Sequence, residues 1–215
     1  KRKMASGRDT NTALVITTIS HPNKALNMLA EGCVENGIRM IVIGDAKSPA
    51  DFSIPGVEFY DLKAQKRSGL AFAKCCPEGH YSRKNIGYLL ALQSGAEVII
   101  ETDDDNLPKE EFWATRRRRR EIAPLNCKGW VNIYRYFSKE MIWPRGLPLD
   151  AVQLGVEPLG SLEVRDCPIQ QGLADGDPDV DAIFRLILPL PVRFESASPI
   201  ALGNGVWSPF NSQNT

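Results

Sequence analysis

The stretch 81–106 constrains the fold of this chain more than any other part of the sequence. Apolar residues recur at helical spacing over 86–93, Ser82 is the predicted N-cap, and Gly95 stands where a helix end favours a left-handed residue. The apolar run at 97–101 is typical of a strand that is covered on both faces. A helix followed at once by a buried strand predicts an α/β fold.

Three consecutive acids, Asp103, Asp104 and Asp105, follow the predicted strand. Neighbouring carboxylates repel one another, and the alternation of a strand sends Asp103 and Asp105 to the same side. A cation would relieve that repulsion, and magnesium, manganese and calcium all take oxygen ligands. Magnesium-like ions are usually held by one or two carboxylates and substrate phosphates, so the expected ligand is a nucleoside diphosphate. Three acids in isolation would favour a plain acidic loop; their position after an apolar strand favours the metal site.

The start of the predicted helix carries Arg83, Lys84 and Asn85. In open α/β sheets ligands bind beyond the carboxyl ends of the strands, and a helix presents its positive N-terminus to anions. We therefore expect these three side chains to hold the phosphate or the nucleotide.

Strand and helix patterns alternate along the first half of the chain. Strands are predicted at 13–19, 39–43, 57–60 and 97–101, and helices at 23–36 and within 62–74, in addition to the one that Ser82 begins. In the helix 23–36, Val34 is expected on the buried face with three residues of the first turns, and Gly37 is the expected terminator. The βαβαβαβ order predicts a mostly parallel central sheet.

Two segments of this stretch, 83–89 (RKNIGYL) and 103–106 (DDDN), resemble the STELLO-type glycosyltransferase family. More distantly they are similar to the reversibly glycosylated polypeptides of plants, which are UDP-arabinopyranose mutases. Both families are similar to GT-A enzymes, in which a nucleotide-sugar-binding α/β half carries an Asp-x-Asp motif for a divalent metal. The resemblance thus implies a GT-A-like (Rossmann-like) three-layer sandwich with a central, mostly parallel sheet.

The resemblance also implies a cofactor and a donor. Mn²⁺ or Mg²⁺ would bind Asp103 and Asp105, with Asp104 beside the nucleotide, and the donor would be a UDP-sugar. The metal would neutralise the leaving diphosphate. GT-A enzymes often add a late histidine to the metal shell, whereas His21 and His80 both lie early in this sequence.

The nucleotide base is expected near the carboxyl end of the first strand. That strand ends in Thr17 and Thr18, and Asp45 follows the second strand at the same edge. In the resembling families the acidic residue equivalent to Asp45 lies near the base. A capping or turn role for Asp45 is the alternative.

The second half of the chain, from Trp130 onward, is rich in proline and glycine and should supply the acceptor side. Residues 130–137 alternate like a strand. Acids at Asp177, Asp179 and Asp181 precede a short predicted helix that ends at Leu186. We expect Asp179, or else Asp177 or Asp181, to face the acceptor as a general base or a sugar-orienting group.

The role of Arg145 would distinguish a transferase from a mutase. The segments 143–146, 171–173 and 177–182 match the STELLO-like pattern in order. In the reversibly glycosylated polypeptides the arginine of the matching Arg-Gly-aromatic-Pro segment carries the sugar, whereas here the segment 145–148 has leucine in the aromatic place. A guanidinium stays protonated and is a poor nucleophile, so we place phosphate or acceptor binding ahead of covalent attachment.

Composition excludes some classes of partner. Lys and Arg total 26 and Asp and Glu total 26, which gives no charge excess for a nucleic acid, and the arginine run 116–120 is expected to be a solvated helix face. No apolar run approaches the roughly 20 residues that span a bilayer. Five cysteines without a CxxC pair predict reduced thiols and a cytoplasmic location, or the Golgi lumen if an N-terminal anchor has been removed.

We expect a flexible segment 1–12 and a single GT-A-like domain at 13–215, with a nucleotide-sugar half at 13–112 and an acceptor half at 113–215. The segment 208–215 also matches the STELLO-like pattern, in which the chain continues, so a truncated C-terminus is expected as an alternative.

The predicted function is metal-dependent hexosyl or pentosyl transfer from a nucleotide-diphosphate sugar to a glycan, protein or small-molecule acceptor. The alternatives are a nucleotide-sugar mutase or self-glycosylating protein, and a non-catalytic nucleotide-sugar-binding domain.

Overall fold

The computed structural model of the chain describes residues 11–187, 191–195 and 198–209. Two compact units are present, Lys1–Ala114 and Thr115–Thr215. Of the segment 1–12 that was expected to be flexible, residues 1–10 lie outside the described residues, and Thr12 already begins the first strand. Residues 210–215 of the predicted motif 208–215 also lie outside them.

A four-stranded parallel sheet forms the centre of the first unit. Its strands are β1 (Thr12–Thr17), β2 (Arg39–Ile43), β3 (Val57–Tyr60) and β4 (Val98–Glu101), in the order β3-β2-β1-β4. The helices are α1 (Lys24–Glu35), α2 (Leu62–Arg67), α3 (Ala71–Cys75) and α4 (Lys84–Gln93). The predicted α/β fold of GT-A-like, Rossmann-like type with a central parallel sheet is confirmed.

Strand alternation sends apolar side chains to both faces of this sheet. One face packs against α1 and the other against α3 and α4, which gives three layers. The first face carries Leu14, Ile16, Met40 and Val42, and the second carries Ala13, Val15, Ile41 and Ile43. Because both faces are covered, the strands are apolar throughout rather than alternating with polar residues.

Helix α4 lies directly on β1. A Cβ built on Gly87 would be 2.4 Å from Cγ1 of Val15, so glycine permits the close approach of helix and strand. Gly95 ends the α4 segment with φ +84°, as predicted. The N-cap prediction was wrong: a 3-10 turn, Tyr81–Arg83, precedes α4, and Nδ1 of its cap, His80, accepts the Ser82 N–H at 3.1 Å.

Helix α1 begins after Asn23, whose Oδ1 accepts the Leu26 N–H at 2.9 Å. The prediction for Val34 was wrong. Val34 is 63% exposed and Cys33 is buried instead, because the buried stripe of α1 passes through position 33 in the last turn. Burial raises the pKa of the Cys33 thiol to about 12.

A two-pronged ion pair joins β2 to β3. Arg39 Nε and Nη2 donate to the Glu58 carboxylate at 2.5 and 2.6 Å, and the Tyr60 hydroxyl donates to it at 3.2 Å. The hydrogen bonds from Arg39 hold the pKa of Glu58 below its ordinary value of 4.5.

Smaller sheets and turns make up the second unit. Its elements are β5 (Arg119–Leu125), β6 (Gly129–Trp130), β7 (Glu163–Asp166), α5 (Ala182–Arg185), β8 (Ile200–Leu202) and β9 (Val206–Trp207). The strands pair as β7-β5-β8 and β6-β9.

Two predictions for this unit were wrong. The arginine run 116–120 is largely exposed, as expected, but it leads into β5 rather than a helix, because β5 pairs with β7 and Arg118 forms a 2.6 Å ion pair with Asp166. The alternating segment 130–137 is a strand only at its first residue. Ile133–Tyr136 is a 3-10 turn whose Ile133 and Tyr134 pack into a local core cluster, so their alternation reflects burial within a turn.

Among the described residues, the structure contains no helix of the length and apolarity needed to cross a bilayer. All five cysteines are free thiols.

Candidate functional site

The order of the strands makes the carboxyl ends of β1 and β4 the candidate ligand site. Strands β1, β2 and β3 follow one another in one direction across the sheet, whereas β4 returns to the other side of β1. Ligands of open α/β sheets bind at the carboxyl ends of the strands where the order reverses in this way. The residues that follow β1 and β4 at this point are Thr18 and the three acids 103–105.

Asp104, the middle acid, is held by residues at the end of β1 and at the start of α1. The Thr18 hydroxyl donates to Asp104 Oδ2, and Asn23 Nδ2 donates to the Asp104 carbonyl at 2.9 Å. Thr18 itself is 4% exposed, and its carbonyl accepts from Ser48 Oγ at 2.7 Å. These bonds fix the acidic loop against the first strand and turn one carboxylate of the three inward.

Asp103 is paired with a buried cation. Lys84 Nζ lies 3.3 Å from Asp103 Oδ1, and the Lys84 side chain is 2% exposed whereas that of Asp103 is 29% exposed. The Tyr81 hydroxyl lies 3.5 Å from the same ammonium, whose distance from the Tyr81 ring centroid is 5.4 Å. The structure thus brings together two of the predicted site residues, from α4 and from the end of β4.

Asp105 is exposed, and none of the described residues forms a hydrogen bond or an ion pair with it. Its carboxylate is therefore open to water or to a ligand. Within the described part of the chain, no group of three or more His, Cys, Asp and Glu side chains is arranged to hold a metal ion. A cation at Asp103 and Asp105 would thus need further oxygen ligands from phosphate and water, which is how magnesium is commonly held.

Arg83 lies in the interior and is 1% exposed. Its Nη1 donates to the carbonyls of Cys76 and Pro77, both at 3.1 Å, and its Nη2 donates to Gln65 Oε1. Gln65 in turn donates to the carbonyls of Gly44 and Tyr60, both at 2.7 Å. Arg83 therefore ties the start of α4 to the ends of β2 and β3, and a direct contact with a ligand would require these bonds to be exchanged.

Asp45 is drawn into the same network. Both of its carboxylate oxygens accept the Gly79 N–H at 2.9 Å, and Arg83 Nε lies 3.9 Å from Oδ1. Asp45 thereby anchors the loop before α4. Of the remaining predicted residues, Thr17 ends β1 and is half-buried, and Asn85 is exposed in the first turn of α4.

The sequence interpretation missed Asn23 and Gln65. Asn23 was assigned to the start of a helix, and its cap role is visible in the structure together with the bond to the acidic loop. Gln65 is a fully buried polar residue in a short helix, and nothing in the local sequence pattern distinguishes it from an exposed one.

In the second unit, Arg145 and Asp179 form an ion pair. Arg145 Nη2 lies 2.9 Å from Asp179 Oδ2, and the side chains are 66% and 11% exposed. The backbones are joined as well, since the Arg145 N–H donates to the Asp179 carbonyl at 3.2 Å. The other two acids have separate contacts: Asp177 pairs with Arg185, and Asp181 Oδ1 accepts the Phe184 N–H at 3.4 Å.

Comparisons with known proteins connect nearly the whole chain to one family. "Probable glycosyltransferase STELLO2" of Arabidopsis thaliana is 30% identical over 227 residues, and "Probable glycosyltransferase STELLO1" of the same plant is 31% identical over 227 residues. Each alignment covers 94% of this chain but 29% and 28% of the two relatives. The chain therefore spans less than a third of the length of these relatives. No family model matches it.

Proposed function

We propose that this chain, whose resemblance to the STELLO-type family is confirmed over 94% of its length, is the nucleotide-sugar-binding core of a glycosyltransferase. It would transfer a hexosyl or pentosyl group from a UDP-sugar to an acceptor, with Mn²⁺ or Mg²⁺ as cofactor. The observation that carries the proposal is the acidic loop 103–105 at the point where the strand order reverses, with a buried ammonium beside it.

Charge at this edge supports a metal-dependent site. Three carboxylates and the single ammonium of Lys84 leave a formal charge of −2. A nucleoside diphosphate is itself an anion and would be repelled there unless a cation is bound as well. A divalent ion bound at this edge would offset that charge and stabilise the diphosphate leaving group.

The three acids would have different roles at the site. Asp105, exposed, and Asp103, partly exposed, would face the cation, since both are open to solvent to some extent. Asp104 would position them through its bonds to Thr18 and Asn23, and its side chain would contact the nucleotide only by releasing Thr18.

Basic and polar residues around α4 would hold the nucleotide in two ways. Lys84 would keep Asp103 oriented and add positive charge near the diphosphate, and the exposed Asn85 would donate to phosphate or ribose. Arg83 would act as a positioning residue, since its guanidinium is occupied by the loop 76–77 and by Gln65. Thr17 and Asp45 would border the base at the ends of β1 and β2.

In the second unit, Asp179 would orient the acceptor or serve as general base, with Arg145 binding phosphate or acceptor. The ion pair directs the planar guanidinium of Arg145 toward Asp179. Asp177 is mostly exposed and paired with Arg185, which makes it the second choice.

Self-glycosylation on Arg145 is the alternative, because that reaction needs a carboxylate close to the guanidinium and Asp179 provides one at 2.9 Å. Intact-mass spectrometry after incubation with a panel of nucleotide sugars and manganese separates the two. A sugar-sized adduct that disappears in Arg145→Lys would support the alternative. Acceptor turnover without any adduct would support the transferase.

Calorimetry with UDP tests the donor site. We expect binding that requires manganese, is abolished by a chelator, and loses its metal dependence in Asp105→Asn with the fold intact. Asp51→Asn is the matched control, since Asp51 is an exposed acid of the same unit outside the acidic loop. If UDP binds equally well with chelator present and in Asp105→Asn, the metal role is wrong.

A further inference from the structure

Two tryptophans lie side by side on the solvent face of the second unit. Strands β6 and β9 are parallel, and Trp130 is the register partner of Trp207. The neighbouring positions Val131 and Val206 are buried with Leu125 in a core cluster. Strand alternation therefore turns both indoles outward, where they are 42% and 61% exposed.

The solvent-facing positions of a strand usually carry polar residues, and tryptophan is highly buried on average. The two rings lie 6.5 Å apart between centroids and are inclined at 45°, so each covers only part of the other. Both indoles thus keep open apolar area although the adjacent inward positions already supply the core contacts. A ligand with apolar faces would cover them.

We propose that Trp130 and Trp207 form a saccharide-binding platform for the acceptor, which makes the acceptor a glycan; this reading of the acceptor rests on the proposed transferase function. The C–H face of a pyranose ring packs against an indole, while the ring hydroxyls stay free for hydrogen bonds. The ring separation of 6.5 Å is comparable to the spacing of adjacent rings in a linked oligosaccharide, so the pair can contact two sugar units.

The residues around the platform favour a neutral, hydroxyl-rich ligand. Among positions 126–132 and 203–209, Lys128 is the one charged residue in the sequence. Asn126 and Asn204 are exposed in the two adjoining turns, which are joined by a 2.8 Å hydrogen bond from Gly129 N–H to the Gly205 carbonyl. Arg165 also reaches this turn, with Nη2 3.4 Å from Asn126 Oδ1, but it is paired with Glu163 at 2.6 Å. A single-stranded nucleic acid also stacks on aromatic rings, but it needs a basic groove along its backbone, which Lys128 and an arginine paired with an acid do not supply.

Titration of the whole chain with neutral hexasaccharides tests the platform. The probes are β-1,4-linked hexamers of glucose, xylose, mannose and N-acetylglucosamine, and the readouts are calorimetry and the fluorescence of the four tryptophans, two of which form the platform. At least one hexamer should bind, and Trp207→Ala or Trp130→Ala should weaken its binding at least tenfold. Trp207→Phe should retain most of it, because an aromatic face remains.

Leu162→Ala is the control, since Leu162 is an exposed apolar residue of the same unit at 64% exposure and is not aromatic. If Trp207→Ala lowers the melting temperature, Trp207→Thr places a β-branched residue, which suits a strand, at this position and gives the same comparison in a folded chain. A role in sheet stability alone would lower the melting temperature and leave saccharide affinity unchanged, which would overturn the proposal.

UDP binding with manganese is measured on the same samples and separates the two hypotheses. Hexasaccharide binding that depends on the tryptophans, without any UDP binding, would refute the donor site and keep the platform. UDP binding without binding of any hexamer, or with binding that Trp207→Ala leaves unchanged, would refute the platform and keep the donor site. Displacement of the bound saccharide by a single-stranded oligonucleotide, with an affinity that falls steeply with salt, would also refute the platform.

Discussion

Asp103→Asn should destabilise the first unit more than Lys84→Met, although both substitutions break the same ion pair. The pair joins Nζ and Oδ1 at 3.3 Å, but the lysine side chain is 2% exposed and the aspartate side chain is 29% exposed. Loss of the acid leaves a buried ammonium without a carboxylate. Loss of the ammonium leaves a carboxylate that water can reach.

The structure sets the size of each effect. Removal of one partner of a buried pair costs about 3–5 kcal/mol, and the remaining contact of Lys84 with the Tyr81 ring offsets about 1 kcal/mol, so we expect about 2–4 kcal/mol for Asp103→Asn. Methionine keeps the apolar stem of Lys84, and hydration of Asp103 limits the loss to about 1 kcal/mol for Lys84→Met. The double variant should lie near Lys84→Met, so the coupling energy should be about 2–4 kcal/mol in size, equal to the loss expected for Asp103→Asn.

Native-state hydrogen exchange of the β1 and β4 amides at pH 7 is the appropriate assay, because two compact units need not unfold in one step. The Lys66–Glu78 pair is the matched control: its N–O distance is also 3.3 Å, but its side chains are 56% and 48% exposed. Either substitution there should cost less than about 0.5 kcal/mol. Equal losses for Asp103→Asn and Lys84→Met, or additive losses in the double variant, would refute the argument from burial.

Three further predictions follow from packing and from the pKa shifts. Gly87→Ala should cost about 1–2 kcal/mol by urea denaturation, because crowding against β1 outweighs the gain in helix propensity, whereas Gly155→Ala, with open space around it, should be nearly neutral. Glu58→Gln should lower the free energy of unfolding by about 0.5–1 kcal/mol near neutral pH. Because the folded pKa of Glu58 is lowered, this stability difference from wild type should persist above pH 4.5 and shrink as the pH falls through the folded pKa. A constant difference down to pH 2 would refute this. At pH 8, iodoacetamide should label the exposed Cys75 rapidly and Cys33 only as the protein unfolds, since a thiol pKa of about 12 leaves little thiolate; equal labelling in peptide maps would contradict it.

The parallel sheet could be predicted from the sequence because each strand leaves a local signal. The strands β2 and β3 have the predicted bounds. Strand β1 begins one residue and ends two residues before the predicted bounds, and β4 begins one residue after them. Strands covered on both faces are apolar runs bounded by turn residues, so their position does not depend on distant partners. The second unit gave weaker signals, because its strands are short and β5 owes its structure to pairing with β7, about 40 residues later in the chain.

Position along the sheet could be predicted for the acidic loop, but the separate contacts of its three acids could not. Strand alternation predicts that Asp103 and Asp105 point to one side and Asp104 to the other, and in the structure Asp104 accepts a hydrogen bond from the Thr18 hydroxyl. The pairing of Asp103 with Lys84 depends on how closely α4 approaches the sheet, which a single glycine at position 87 permits. Such a distance is set by tertiary packing and has no local sequence signal.

The same reasoning applies to the adjacent residues Arg83, Lys84 and Asn85. Successive residues of a helix differ in direction by about 100°, since a turn contains about 3.6 residues, so three neighbours cannot all face one ligand. The structure sends Arg83 to the carbonyls 76–77, Lys84 to Asp103 and Asn85 to solvent. Two of these three polar residues therefore hold the helix start and the acidic loop in place, and Asn85 is the one that would be free to contact a nucleotide under the proposed function. On this argument, we expect Arg83 to act on ligand affinity only indirectly, through the loop that Asp45 and Gly79 hold in place.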